Sequence, residues 1–334
     1  MLLITPNKLK ESLPLSEQMR KTVEEGRIAV RSILRGDDKR VLAVVGPCSI
    51  HDIESAKDYA VRLKSLSDKL KDKLFIVMRV YLEKPRTSTG WKGFVNDPYL
   101  NNSCSIEDGL KLSRELLSFI AGIGLPAGGE VLNPATPHYL HDLYSWSAIG
   151  ARTSESQTHR DMAGGFDTVT GFKNSTDGNV DIAINAILSA SKPRKYIGFT
   201  PEGKVSVIDT PGNTDTHIVL RGGKIPNYSS SYIREYEERL NQLGLPQRIM
   251  VDCSHGNSSK NAASQTDVLD SISNQIKEGN TSIFGFMLES NINTGRQEIP
   301  ADISKLKYGV SVTDECLGWE STEKLLTKFY DDLG

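Results

Sequence analysis

The chain lacks the features that would place it in an unusual environment. Four cysteines in 334 residues are too few for a disulfide framework in a chain of this length. No apolar run approaches the roughly 18 residues needed to span a bilayer, so no membrane segment is expected. Neither sign of charge dominates: 40 Lys and Arg stand against 42 Asp and Glu, a formal net charge of −2. That balance, with no block of Lys or Arg, excludes the electrostatic footprint of a nucleic-acid binder. Low-complexity tracts and short repeats are missing too. The opening residues MLLITPNKLKESLP have no long apolar core after a basic start, unlike a secretion signal. The expected location is cytoplasmic, with reduced thiols.

What is present is a repeated ending. Eight short apolar runs each stop at one ionisable residue: VLAVVGPC at Cys48, FIVMR at Arg79, LPAGGE at Glu130, AIGAR at Arg152, TVTGFK at Lys173, HIVLR at Arg221, IMVDCSH at His255 and IFGFMLE at Glu289. The runs have strand length, and helical patterning lies between several of them, as in Ile53 to Leu70, 107–122, 180–191, 230–243 and 264–278. Alternating strand and helix predicts an α/β protein of the (β/α)8 TIM-barrel class, whose active site lies at the C-terminal ends of the strands. Residues 1–40 read as an N-terminal extension carrying a helix over 16–36, with Ser16 as its N-cap and Gly36 at its end. Residues 41–334 read as one barrel domain. KYIGFT (195–200) and KVSVID (204–209) flank a Pro-Glu-Gly turn and predict a β-hairpin inserted before the sixth barrel strand. The loop 81–105 is too long and polar to be a plain connection.

The endings separate by chemistry. Cys48, His255 and Glu289 close strands one, seven and eight, which are neighbours in a closed barrel, and Asp314 follows strand eight. Taken singly, Cys48 reads as a small buried hydrophobe and His255 as a satisfied loop histidine. Together they suit one divalent metal ion, Mn, Fe, Co or Zn. Arg79, Arg152, Lys173 and Arg221 close strands two, four, five and six, with Lys84 and Arg86 close behind. Cations gathered at one mouth repel unless they pair with acids or bind an anion, and Arg forks match phosphate and carboxylate oxygens. Glu130 is the lone acid on that arc, able to orient a cation or hold a catalytic water. A metal beside an anion pocket suggests a metal-assisted aldol-type condensation or isomerisation.

The local motifs are specific. VVGPCSIHD (44–52), MRVYLEKPRTSTGWKGFVNDP (78–98), AIGARTSESQTHR (148–160), GFKNSTDG (171–178), VLRGGKIPNY (219–228), VDCSHGNSSK (251–260), GFMLESNINTGRQ (285–297) and YGVSVTDECLGWEST (308–322) resemble class I alpha 3-deoxy-D-arabino-heptulosonate 7-phosphate (DAHP) synthases of bacteria and yeast. That resemblance implies condensation of phosphoenolpyruvate with erythrose 4-phosphate, the entry step to aromatic amino acids. It implies Cys48, His255, Glu289 and Asp314 as metal ligands. Arg79, Arg152, Lys173 and Arg221 match the residues that hold phosphoenolpyruvate, with Glu130 beside them. Lys84, Pro85, Arg86 and Thr87 match the motif that contacts erythrose 4-phosphate. Catalytic roles are expected of Lys84, Glu130, Lys173 and His255, with Lys84 a general acid whose pKa a cationic site should depress. A homodimer or homotetramer is expected.

Three departures bear on regulation. Ser175 replaces a usual Gly, Asp167 stands where a small residue is usual beside the family's feedback pocket, and the N-terminal arm is short. An aromatic amino-acid effector therefore stays open. Two other functions are weighed: 3-deoxy-D-manno-octulosonate 8-phosphate synthase, disfavoured by the KPRT motif, and a catalytically silent effector-binding homologue. Cys316, two residues after Asp314, is expected near Cys48, where the metal-free protein could form a disulfide.

Overall fold

The computed structural model describes residues 2–86 and 89–334; Thr87 lies outside them. Among the described residues, eight parallel strands close into a barrel. They are β1 (Val41–Gly46), β2 (Leu74–Arg79), β3 (Ala127–Glu130), β4 (Trp146–Ile149), β5 (Val169–Lys173), β8 (Thr216–Leu220), β9 (Ile249–Asp252) and β10 (Ile283–Glu289). β6 (Arg194–Phe199) and β7 (Val205–Thr210) form the expected antiparallel hairpin outside the barrel. β10 pairs with both β1 and β9, so the first and the last two barrel strands are adjacent. Ser16 caps α2 (Glu17–Arg35) and Gly36 ends it at φ 82°, the left-handed turn that glycine takes without a Cβ penalty.

The strands read as nearly unbroken apolar runs because both of their faces are buried. Leu42, Val44 and Val77 pack inside the barrel, while Ala43, Val45, Ile76 and Met78 pack outward against the helices. The outer layer contains α3 (Ile53–Leu70), α4 (Ile106–Gly122), α7 (Asp181–Ala190), α8 (Ser230–Gln242), α9 (Gln265–Lys277) and α10 (Trp319–Asp332). Three short helices were not expected from the sequence: α1 (Pro6–Ser12), α5 (Pro137–Leu140) and α6 (Gln157–Ala163).

Helix α2 closes the N-terminal end of the barrel. Its Val30, Ile33 and Leu34 join the interior cluster with Leu42, Val44 and Trp146, each worth about 1.5–3 kcal/mol of burial. Its arginines grip the segments that enter the strands. Arg27 donates to the carbonyls of Tyr144 and His141, and Arg31 and Arg35 both bind the Asp215 carboxylate. With one end plugged, the C-terminal mouth is the open end.

Candidate active site

A cavity of about 170 Å3 occupies that mouth. Its walls include Arg79, Lys84, Pro85, Arg86, Glu130, Arg152, Lys173, Arg221, His255 and Asp314, so the structure brings ten of the thirteen expected residues to one cavity. Cys48 and Glu289 lie beside them, fully buried; Thr87 is outside the described residues. A larger groove of about 840 Å3 opens at the opposite end, between α2 and α8. Its Asp215 is held by Arg31 and Arg35 and its Glu237 by Asn280 and Ser282. In this fold that end serves stability rather than chemistry.

Strand ends place each group. Cys48 follows β1 past Gly46-Pro47, and Glu289 is the last residue of β10. The Cys48 sulfur and one carboxylate oxygen each of Glu289 and Asp314 all lie within 4.8 Å of one another. His255 stands outside that trio, yet its Nε2 is 3.6 Å from Glu289 Oε1. Its backbone is left-handed, φ 57°, a conformation uncommon in non-glycine residues and frequent at functional sites. Burial raises the Asp314 carboxyl, but Lys84 and His255 outweigh it and hold the group below its ordinary value. A thiol, an imidazole and two carboxylates at these separations fit a borderline-soft first-row divalent ion, and suit a dedicated Mg2+ site poorly.

The cations divide in two. Arg79 is fully buried; one nitrogen donates to the carbonyls of Pro47 and Cys48, the other to Glu289 Oε1 at 2.9 Å. Its guanidinium lies 3.5 Å from the Tyr81 ring centroid. Burial opposes the Arg79 charge, but Glu289 and Tyr81 overcome it and raise its pKa. Lys173 Nζ donates to Asp252 Oδ2 at 2.7 Å. These two cations are therefore paired, although Glu130 is the lone acid among the strand endings of their arc. Their partners are Glu289 and Asp252, which reach them from other strands, and not Glu130. Arg152, Arg221, Lys84 and Arg86 have no carboxylate within 4 Å among the described residues. Burial first, and repulsion from Arg152, lower the Arg221 pKa despite Asp252 and Asp314. That is an anion site poised for a ligand.

Lys84 corrects an expectation. Its Nζ lies 2.9 Å from the Cys48 carbonyl and 3.2 Å from the Cys48 sulfur. Burial depresses its pKa, but Cys48, Glu289 and Glu130 outweigh burial and Arg79, so the net shift is upward rather than downward. Its loop is folded rather than open: Lys84 N donates to Lys92 O, Val95 N to Leu82 O, and the buried Trp91 donates Nε1–H to Asp97 O. Glu130 projects into the cavity, and its Oε1 is buried without a hydrogen-bond partner among the described residues.

Sequence reading missed Asp252, Tyr81 and Lys260, all at this mouth. Asp252 left one usable signal, an acid three residues before His255. Other expectations fare differently. Ser175 only shapes a turn, its Oγ accepting from Asn179 N at 3.1 Å. The Asp167 carboxylate is engaged by Arg27 of α2. Cys316 Sγ accepts from Cys48 N at 3.4 Å, and both thiols are free and buried.

A parallel barrel whose open mouth joins a thiol–carboxylate cluster to an unsatisfied cation pocket defines an enzyme of the TIM-barrel class acting on small anions. The chain belongs to the DAHP synthetase I family, whose model matches residues 13–327. It is 50% identical over 331 residues to the Tyr-sensitive phospho-2-dehydro-3-deoxyheptonate aldolase of Escherichia coli K12, covering 99% of this chain and 93% of that one. It is 50% identical to the Phe-sensitive enzyme of the same organism, covering 97% of this chain and 92% of that one. A solved phospho-2-dehydro-3-deoxyheptonate aldolase from Francisella tularensis superposes with a TM-score of 0.97 at 43% identity, covering 100% of this chain and 97% of that one.

Proposed function

We propose that this chain is a 3-deoxy-7-phosphoheptulonate synthase, joining phosphoenolpyruvate, erythrose 4-phosphate and water into DAHP and phosphate. The observation that carries the reading is the cavity where unpaired Arg152 and Arg221 face the Cys48–Glu289–Asp314 cluster. A phosphorylated carboxylate satisfies those cations, and a polarised carbonyl suits the cluster.

Arg152, Arg221 and Lys173 hold the phosphate and Arg79 the carboxylate end of phosphoenolpyruvate, with bidentate Arg contacts fixing the enol plane. Lys84, Pro85, Arg86 and Thr87 receive erythrose 4-phosphate. Cys48, His255, Glu289 and Asp314 would hold one divalent ion, which supplies Lewis acidity to the aldehyde oxygen. As C3 of phosphoenolpyruvate attacks the aldehyde carbon, Lys84 Nζ delivers a proton to the developing alkoxide. Its upward-shifted pKa keeps it protonated for this step. Glu130, whose buried Oε1 has no partner among the described residues, takes the proton of the water that adds at C2. The resulting phosphohemiketal expels phosphate into the Arg pocket.

Residues 1–40 are an extension and 41–334 one catalytic domain, acting in the cytoplasm. No described helix is long and apolar enough to cross a membrane. Relatives named for tyrosine and phenylalanine sensitivity support an aromatic amino-acid effector. Ile197, Val205 and Val207, each at least two-thirds exposed on one side of the hairpin, support self-association into a dimer or tetramer. The test is phosphate release from phosphoenolpyruvate with erythrose 4-phosphate against arabinose 5-phosphate, with tyrosine, phenylalanine and tryptophan added separately. Turnover confined to the four-carbon sugar is expected; preference for the five-carbon sugar overturns the assignment.

A further inference from the structure

Asp252 ends β9 inside the barrel, fully buried, with both carboxylate oxygens in use. Oδ2 accepts from Lys173 Nζ at 2.7 Å and stands 3.0 Å from His255 Nδ1. Oδ1 accepts from the Ser254 amide at 3.0 Å and from Ser254 Oγ at 2.6 Å. The Ser254 hydroxyl has one hydrogen, and it is spent on Asp252. Toward His255 Nδ1, 2.7 Å away, Ser254 Oγ therefore offers only a lone pair. Both neighbours of Nδ1 are acceptors, so Nδ1 carries the proton. Nε2, 3.6 Å from Glu289 Oε1, keeps its lone pair on the side of the Cys48–Glu289–Asp314 cluster. Donors face both Asp252 oxygens, Lys173 Nζ at Oδ2 and the Ser254 amide and hydroxyl at Oδ1, so Asp252 sits here as an acceptor.

We propose that Asp252 is a positioning residue that serves both halves of the site at once. It fixes the His255 tautomer that leaves Nε2 free to ligate a divalent ion, and it pins the Lys173 ammonium that receives phosphoenolpyruvate. The proposal rests on the metal and substrate reading above. A carboxylate accepts from both donors with one oxygen; an asparagine has a single acceptor oxygen and an NH2 that opposes whichever donor it meets. Carboxylate partners behind a ligating histidine typically contribute 10–100-fold to metal affinity.

The test is Asp252→Asn, with Mn2+ titrated calorimetrically into metal-free enzyme and phosphoenolpyruvate binding followed by intrinsic fluorescence. Mn2+ affinity should fall about 10–100-fold, and phosphoenolpyruvate affinity should fall with it. Both affinities within twofold of wild type overturn the proposal. A wild-type measurement covers the case in which the variant does not fold. In 15N-histidine spectra of the metal-free enzyme, the signal lost in His255→Gln should show the Nδ1–H tautomer; an Nε2–H tautomer overturns the proposal. Mn2+ binding that survives His255→Gln undamaged overturns the metal-site reading and this inference with it.

Discussion

Glu83 offers the sharpest test of the electrostatics around the substrate loop. Its carboxylate is 4% exposed, accepts from the Asn133 amide at 3.3 Å, and is pushed up to about 7, chiefly by burial, with Glu130 adding to the shift. An acid whose native pKa exceeds its unfolded value binds its proton more tightly when folded. The stability linked to that proton is complete below the unfolded pKa, near 4.5, and is lost as pH rises through about 7. The loss is about 2.5 kcal/mol between pH 5 and 8, at 1.36 kcal/mol per pKa unit. For 334 residues the unfolding entropy near 60 °C converts this to about 3–4 °C in Tm. Glutamine retains an acceptor for Asn133 and has no proton to lose. Scanning calorimetry should therefore show the Tm of Glu83→Gln, relative to wild type, climbing by about 3–4 °C from pH 5 to 8. Parallel Tm curves across that range would refute the assignment of a near-neutral titration to this buried acid.

Four further outcomes follow from the same geometry. Lys84→Ala should lower kcat by about 10²–10⁴-fold, with bound metal per chain unchanged by elemental analysis; full activity removes the general-acid role. Arg221→Ala removes an unpaired cation and should weaken phosphoenolpyruvate binding by about 1.5–3 kcal/mol, read as a raised KM. Gly26→Ala places a Cβ against the side chain of buried Ser145 and 3.1 Å from Pro126 Cβ. The overpacking, about 1–3 kcal/mol, should exceed the gain in helix propensity, about 1 kcal/mol, and lower the Tm. Metal-free protein held in air should fall from four titratable thiols to two as Cys48 and Cys316 join and oxygen takes up the two electrons; a count that stays at four refutes their pairing.

Most of the barrel was legible because parallel strands buried on both faces cannot be patterned, only apolar, and because each stops at a polar mouth. The ending of IFGFMLE at Glu289 and of FIVMR at Arg79 is the barrel axis written into the chain. Residues 137–140 and 157–163 were not legible as helices, since four and seven residues are too few to show a period. The partners of the cations escaped for a different reason. Arg79 and Glu289 are 210 residues apart, and Lys173 and Asp252 are 79 apart; only closure of the barrel brings them within hydrogen-bond distance. The direction of the Lys84 shift failed likewise, because Cys48, Glu289 and Glu130 all reach it from other strands. Asp252 was hidden inside an apolar run, where register rather than composition decides that its side chain turns inward beside Lys173.

A condensation that needs both the cation pocket and the thiol–carboxylate cluster should fail when either is emptied. The most direct measurement is phosphate and DAHP release from phosphoenolpyruvate and erythrose 4-phosphate, before chelation, after chelation, and after Mn2+ is restored. Equal amounts of the two products are expected, with loss of both on chelation and recovery of both with Mn2+. Turnover that continues undiminished in a chelated, metal-free preparation would contradict that need.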